Sequence, residues 1–187
     1  LRADPATPWP GPTQWVDLWY AGQYPLIAMA NLRATAVEPE RAYEGFRRII
    51  ERWRHPNGLV WAMSLMDYGH SGAWTETLGI TAPLQEMLLQ SYGSVIRVFP
   101  VWPRHVAASF RTFRAEGAFL VSASCAEGVA TSVRIESERG GTCRLYSPWE
   151  TGFRVTTGGE TVTVEGPEDG IYEFDTEAGN AYVLEVL

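Results

Sequence analysis

Between Leu59 and Gly79 the chain reads LVWAMSLMDYGHSGAWTETLG. Asp67, His70 and Glu76 fall there inside ten residues, interleaved with Trp61, Tyr68 and Trp74. Carboxylates and an imidazole can accept or donate protons when they reach a bound substrate. The rings can lay a flat face on the apolar side of a ligand, although core packing is the plainer role for each of them singly. His70 can pack its own loop, and Glu76 can be a first-turn acid complementing the dipole of the helix that follows. The stretch has no clean period and is rich in glycine and polar residues, so it reads as a long loop with a turn of helix. Long structured loops in compact domains tend to carry function.

Other chemistries are excluded more firmly. No group of Asp, Glu and His has usable metal spacing, no glycine motif for nucleotide phosphates is present, and no cofactor is expected. Cys125 and Cys143 are the only cysteines; neither CxxC nor Cys/His spacing accompanies them, and each sits among apolar strand residues, as a buried free thiol would. The net charge of -7, from 22 acidic and 15 basic side chains, argues against nucleic acid or an anionic membrane as partner. No apolar run reaches the roughly 20 residues of a membrane helix, and no signal peptide opens the chain. The compartment stays open: periplasmic or secreted if the full-length protein carries a signal peptide, cytoplasmic otherwise. The chain starts at Leu1 without a Met, which suggests processing or excision from something longer. Six of its eight Trp precede residue 95.

The elements that must position these residues change character along the chain. After the Pro-rich arm LRADPATPWP, apolar residues recur at helical spacing through QWVDLWYAGQYPLIAMANLRATA, with Pro25 a kink or break. VEPERAYEGFRRIIERWRHPNG is the clearest helix: Pro39 and Glu40 suit its first turn, arginines crowd its last, and Ala42, Phe46, Ile49, Ile50 and Trp53 form one stripe. A further helix is predicted from Thr81 to about Ser91, with Pro83 in its first turn and Glu86 and Gln90 one turn apart. From Val95 onward the period is 2. VIRVF, AFLVSASC, VATSVRIES, CRLYSPW, FRVTT, TVTVEG, IYEFD and AYVLEV are short β-rich runs separated by AEG, ERGG, TGGE, EDG and EAGN. Seven or eight such strands predict an antiparallel sandwich or barrel.

The stretch EMLLQSYGSVIRVFPVWP, followed by ASFRTFRAEGAFLVSASCAEGVATSVRIESERGGTCRLYSPW, resembles the C-terminal region of glycoside hydrolase family 95 and its close relatives. These are the α-L-fucosidase-like enzymes and related α-L-galactosidases. The likeness is carried by the EMLLQS helix end, by a strand motif matched at Phe113 to Val121 and by a second at Gly141 to Leu145. PERAYEGFRRII resembles the penultimate barrel helix, so the likeness runs from about Leu26 to Trp149. It implies an α+β architecture: residues 1–93 as the C-terminal helices of an incomplete six-hairpin α/α-barrel catalytic domain, and residues 94–187 as an antiparallel β-sandwich. Most of the barrel is then expected upstream.

The resemblance also implies a mechanism. Family members invert at the glycosidic carbon, a glutamic acid protonating the leaving oxygen and an aspartate activating water, with the carboxyls about 6.5–9.5 Å apart. The acid belongs to a part of the barrel that these residues do not include. The base is expected shortly before the EMLLQS helix in an Asp-Gly-Asn-Phe-Gly setting, where this chain has Thr75-Glu76-Thr77-Leu78-Gly79. Threonine cannot serve as a general base near neutral pH, so the role passes to Glu76 or to another carboxylate such as Asp67, or the activity has changed. Trp61, Tyr68, His70, Trp74 and Thr75 are the implied substrate-binding positions.

Three functions follow as expectations. The first is the C-terminal part of a hydrolase acting on α-L-fucosyl or α-L-galactosyl oligosaccharides or polysaccharides, inactive by itself and completed by its missing barrel segment. The second is a non-catalytic carbohydrate-binding sandwich, marked by exposed rings at Tyr146, Trp149 and Tyr172. The third is a subunit completed by a partner chain and marked by a large exposed apolar helical face.

Overall fold

The computed structural model describes residues 39–54 and 81–187. The chain divides into two compact units, Leu1–Glu86 and Met87–Leu187.

In the first unit, α1 (Pro39–Trp53) follows its sequence signals, with Glu40 in the opening turn. Ala42 is buried, and Phe46 and Ile50 are half-buried on the same stripe. On the solvent side Arg47 donates to Glu51 through Nη2 at 2.9 Å and Nε at 3.1 Å. These are neighbours at i and i+4, the spacing at which helical side chains meet. No barrel is evident among the described residues.

The next helix, α2 (Thr81–Leu88), stops three residues before the expected Ser91. Leu89 and Gln90 instead form a two-residue strand, β1, paired antiparallel with β2 (Ile96–Val98). The Phe99 amide donates to the Leu88 carbonyl at 2.8 Å and extends this ladder. Strand pairing therefore wins over the helical pattern of EMLLQS, and Gln90 does not sit one helical turn from Glu86.

The second unit continues with β3 (Ala108–Ala115), β4 (Phe119–Ala126), β5 (Val129–Ser137), β6 (Gly141–Tyr146), β7 (Phe153–Thr157) and β8 (Glu160–Val162). It ends with β9 (Glu165–Glu168), β10 (Ile171–Thr176) and β11 (Ala181–Val186). Two sheets result, one of five strands in the order β1-β2-β6-β10-β9 and one of six in the order β3-β4-β5-β11-β7-β8. The expected sandwich is present, with one correction: β2 and β6 pair parallel, Ile96 against Leu145 and Arg97 against Tyr146. Three strands of the other sheet, β3, β4 and β5, intervene between them along the chain.

The core lies between the sheets. Ile96, Cys143, Leu145 and Phe174 from one, and Val121, Val133, Ile135, Val155 and Leu184 from the other, are at most 2% exposed. Ring pairs cross the gap: Phe174 and Tyr182 at 5.7 Å between centroids, Phe153 and Tyr172 at 4.8 Å. Each large side chain so buried contributes about 1.5–3 kcal/mol. The predicted turns hold the left-handed glycines they need, Gly128, Gly140, Gly158, Gly170 and Gly179 among them. Both cysteines are buried free thiols, as expected.

Strand β3 is absent from the alternating runs for a physical reason. Its pairing slips between Phe110, opposite Ala123, and Phe113, opposite Val121, and Thr112 takes φ 55° in the bulge. Two aromatic residues at helical spacing are thereby laid side by side, their centroids 4.8 Å apart.

A polar knot joins the sheets where β5 ends. Thr176 Oγ1 donates to the Gly141 carbonyl at 2.6 Å and lies 2.9 Å from Ser137 Oγ. Ser137 Oγ in turn accepts from the Gly140 amide at 3.0 Å. Tyr182, 2% exposed, accepts the Glu177 amide on its hydroxyl oxygen at 2.7 Å. Buried polar groups are tolerable only when paired in this way.

Candidate functional site

The residues singled out for chemistry, Trp61, Asp67, Tyr68, His70, Trp74, Thr75 and Glu76, lie outside the described residues. What the described residues do place is the outer face of the five-stranded sheet. Along β6, Cys143 and Leu145 point to the core, which turns Thr142, Arg144 and Tyr146 outward. Along β10 the same alternation turns Ile171, Glu173 and Asp175 outward. Register then assembles a surface row of Arg97, Tyr146, Ile171 and Glu168, one from each strand in turn.

Beside that row is an open depression of about 390 Å³ lined by Arg144, Glu165, Gly166, Glu168, Asp169, Ile171 and Glu173. Arg144 Nε donates to Glu173 Oε1 at 2.7 Å, and Thr142 donates to Asp175 at 2.9 Å. In the turn between β9 and β10, Gly170 has φ 80°, and a Cβ there would come within 2.8 Å of the Tyr146 ring. Only glycine lets that ring lie over the turn, and the Gly170 carbonyl accepts the Ser147 amide at 3.0 Å. The acidic turn residues of EGPEDG gave no sign in the sequence that they would share a depression with Arg144.

Chemically this surface can hydrogen-bond hydroxyl or amino groups. Its Arg144 guanidinium and Glu173 carboxylate are open to water. Cys143, the reactive group on this sheet, is buried, which pushes its thiol up to about 12 and keeps it un-ionised. Among the described residues no group of three or more His, Cys, Asp or Glu could hold a metal ion. Of the three rings expected to mark a glycan platform, Trp149 is buried and donates its Nε1–H to the Ala130 carbonyl at 2.8 Å. Tyr172 is half-buried with its edge against Phe153. Tyr146 alone is exposed, at 48%.

Residues 90–184 match the glycoside hydrolase family 95, C-terminal domain, from the end of β1 to the middle of β11. The chain belongs to this family. The matched residues take in β2 to β10 complete, so the family signature is a signature of the sandwich core and its turns. A crystal structure of a GH127 β-L-arabinofuranosidase from Geobacillus stearothermophilus T6 is similar at 13% identity, with a TM-score of 0.38. That likeness covers 90% of this chain and 32% of the other, so the chain spans about a third of that protein's length. No curated protein sequence matches the chain.

Proposed function

We propose that this chain is the C-terminal portion of a glycoside hydrolase acting on α-L-fucosyl or α-L-galactosyl glycans by inversion, with the sandwich as structural brace. The observation that supports it most directly is the family match over 90–184. It covers a sandwich whose outward carboxylates Glu136, Glu138, Glu173 and Glu185 are each ion-paired with an arginine. Carboxylates held in this way suit a solvated surface. In this reading residues 1–93 supply closing helices of an α/α barrel and residues 94–187 the sandwich, the β1–β2 hairpin straddling the boundary. The loop 59–79 is part of the active-site wall. Glu76 or Asp67 activates the water, Trp61, Tyr68, His70, Trp74 and Thr75 bind sugar, and the general acid is carried outside residues 1–187.

The test has two arms. The 187-residue chain should not turn over aryl α-L-fucosides or α-L-galactosides, whereas the full-length native protein should. In the full-length protein either Glu76→Gln or Asp67→Asn should lower kcat by about 10²–10⁴-fold, the usual contribution of a general base. Enzyme-like turnover by the 187-residue chain, or unaltered kcat in both variants, would overturn the assignment.

A further inference from the structure

Two edges of the sandwich meet where the chain first enters it. β1 is an outer strand of the five-stranded sheet, β3 is an outer strand of the six-stranded sheet, and the two are in contact. The loop that joins β1 to β2, Ser91–Val95, carries a short 3₁₀ turn, Tyr92–Ser94, whose preceding residue Ser91 gives it no side-chain cap. Its backbone turns left-handed twice in succession, at Gly93 (φ 68°) and Ser94 (φ 58°). For serine that conformation is unfavourable and must be held by something else.

What holds it comes from the other sheet. The Ser94 amide donates to Glu116 Oε2 at 2.8 Å, and the Glu116 amide donates to Ser91 Oγ at 3.0 Å. Glu116 stands in the β3–β4 turn, 22 and 25 residues from its two partners. That turn is seated from its far side by the Glu138 amide, which donates to the Ala118 carbonyl at 3.0 Å. Arg97 shapes the loop from beneath: Nη1 reaches the Val95 carbonyl at 3.1 Å and the Tyr92 carbonyl at 3.4 Å. Its guanidinium carbon also lies 4.7 Å from the centre of the Tyr92 ring, a cation–π contact.

We infer that Glu116 is a latch, whose amide and carboxylate together fasten the β1–β2 loop to the β3–β4 turn and close this side of the sandwich. The charged acceptor makes the Ser94 bond the stronger of the two. The reciprocal bond from Glu116 to Ser91 makes the geometry self-consistent, in the manner of a capping box built between two hairpins. The latch is independent of the hydrolase assignment, since it follows from the sandwich alone.

Amide hydrogen exchange on the 187-residue chain tests it. In Glu116→Ala the Ser94 amide should exchange roughly ten- to a hundredfold faster, the loss expected for a hydrogen bond to a charged group. The β1–β2 hairpin amides should follow it, because the hairpin opens as a unit, while β5 stays as protected as before. Glu116→Gln keeps an acceptor and should fall between wild type and the alanine variant. Ser91→Ala should free the Glu116 amide specifically. These two variants carry the test if Glu116→Ala does not fold. Unchanged exchange at Ser94 in Glu116→Ala overturns the latch. So does a rise confined to Ser94, which would make the bond a local contact with no hold on the hairpin.

Discussion

The sandwich is tied across its two sheets at the Ser137–Thr176 knot and at the Glu116 latch, and the two ties are built from similar parts. Each uses a serine hydroxyl, backbone amides and one further oxygen-bearing side chain. Their surroundings differ. Ser137 is 1% and Thr176 7% exposed, whereas Glu116 and Ser94 are exposed. A group at the knot that loses its partner finds no water to replace it and bears the full desolvation cost. At the latch, water takes the place of the lost partner, so the same deletion opens a hairpin without threatening the fold. Hydrogen bonds of similar length thus serve global stability in one place and local order in the other.

The widest gap between the two ties should appear with Thr176→Val, which keeps the shape and removes the hydroxyl. Ser137 Oγ is then left short of a partner in a dry site, and the Gly141 carbonyl loses the hydroxyl that donated to it. Stability should fall by about 1–3 kcal/mol. The shift should be read as a lower denaturant midpoint at unchanged m-value. A loss no larger than that of Glu116→Ala would erase the distinction between buried and exposed ties. Arg154→Ala gives a lower reference. Arg154 Nη2 lies 2.6 Å from Glu185 Oε2 across β7 and β11, both side chains being about half exposed. Removing it should cost about 0–1 kcal/mol. Molar salt should abolish what difference there is.

Which features were legible in the sequence follows the same division between local and long-range causes. Helix α1 was legible because Pro39, Glu40 and the Ala42–Phe46–Ile50 stripe are local signals. The two-sheet core was legible in the alternation of β4, β5 and β10, and the turns were legible in their glycines. β1 was not, since Leu89 and Gln90 continue a helical pattern and become a strand only by pairing with Val98 and Arg97. β3 was hidden by its bulge, which converts alternation into a helix-like spacing. The knot, the latch and the acidic depression each join residues more than twenty positions apart, so no window of sequence contains them. The chemistry-bearing stretch 59–79 stands on residue type and on the family resemblance, because its residues lie outside those described.

The smallest expected effect is a matter of pH, and it bears on the seat of the latch. Arg114 donates to both Glu138 carboxylate oxygens, at 2.6 and 3.0 Å, bridging β3 to the turn after β5. The hydrogen bonds from Arg114, and then its positive charge, hold the Glu138 carboxyl below its ordinary range. A carboxylate with a lowered folded-state value binds fewer protons than in the unfolded chain, so its stabilising effect is present at neutral pH. That effect fades as the pH falls from the unfolded value through the lowered one. Both side chains are exposed, so screening keeps the effect slight. Arg114→Ala should therefore melt a little below wild type at pH 7, and the difference should close as the solution is acidified past the carboxylate range. A difference that persists unchanged in acid would mean that Arg114 acts through the packing of its stem on the sheet and not through its charge.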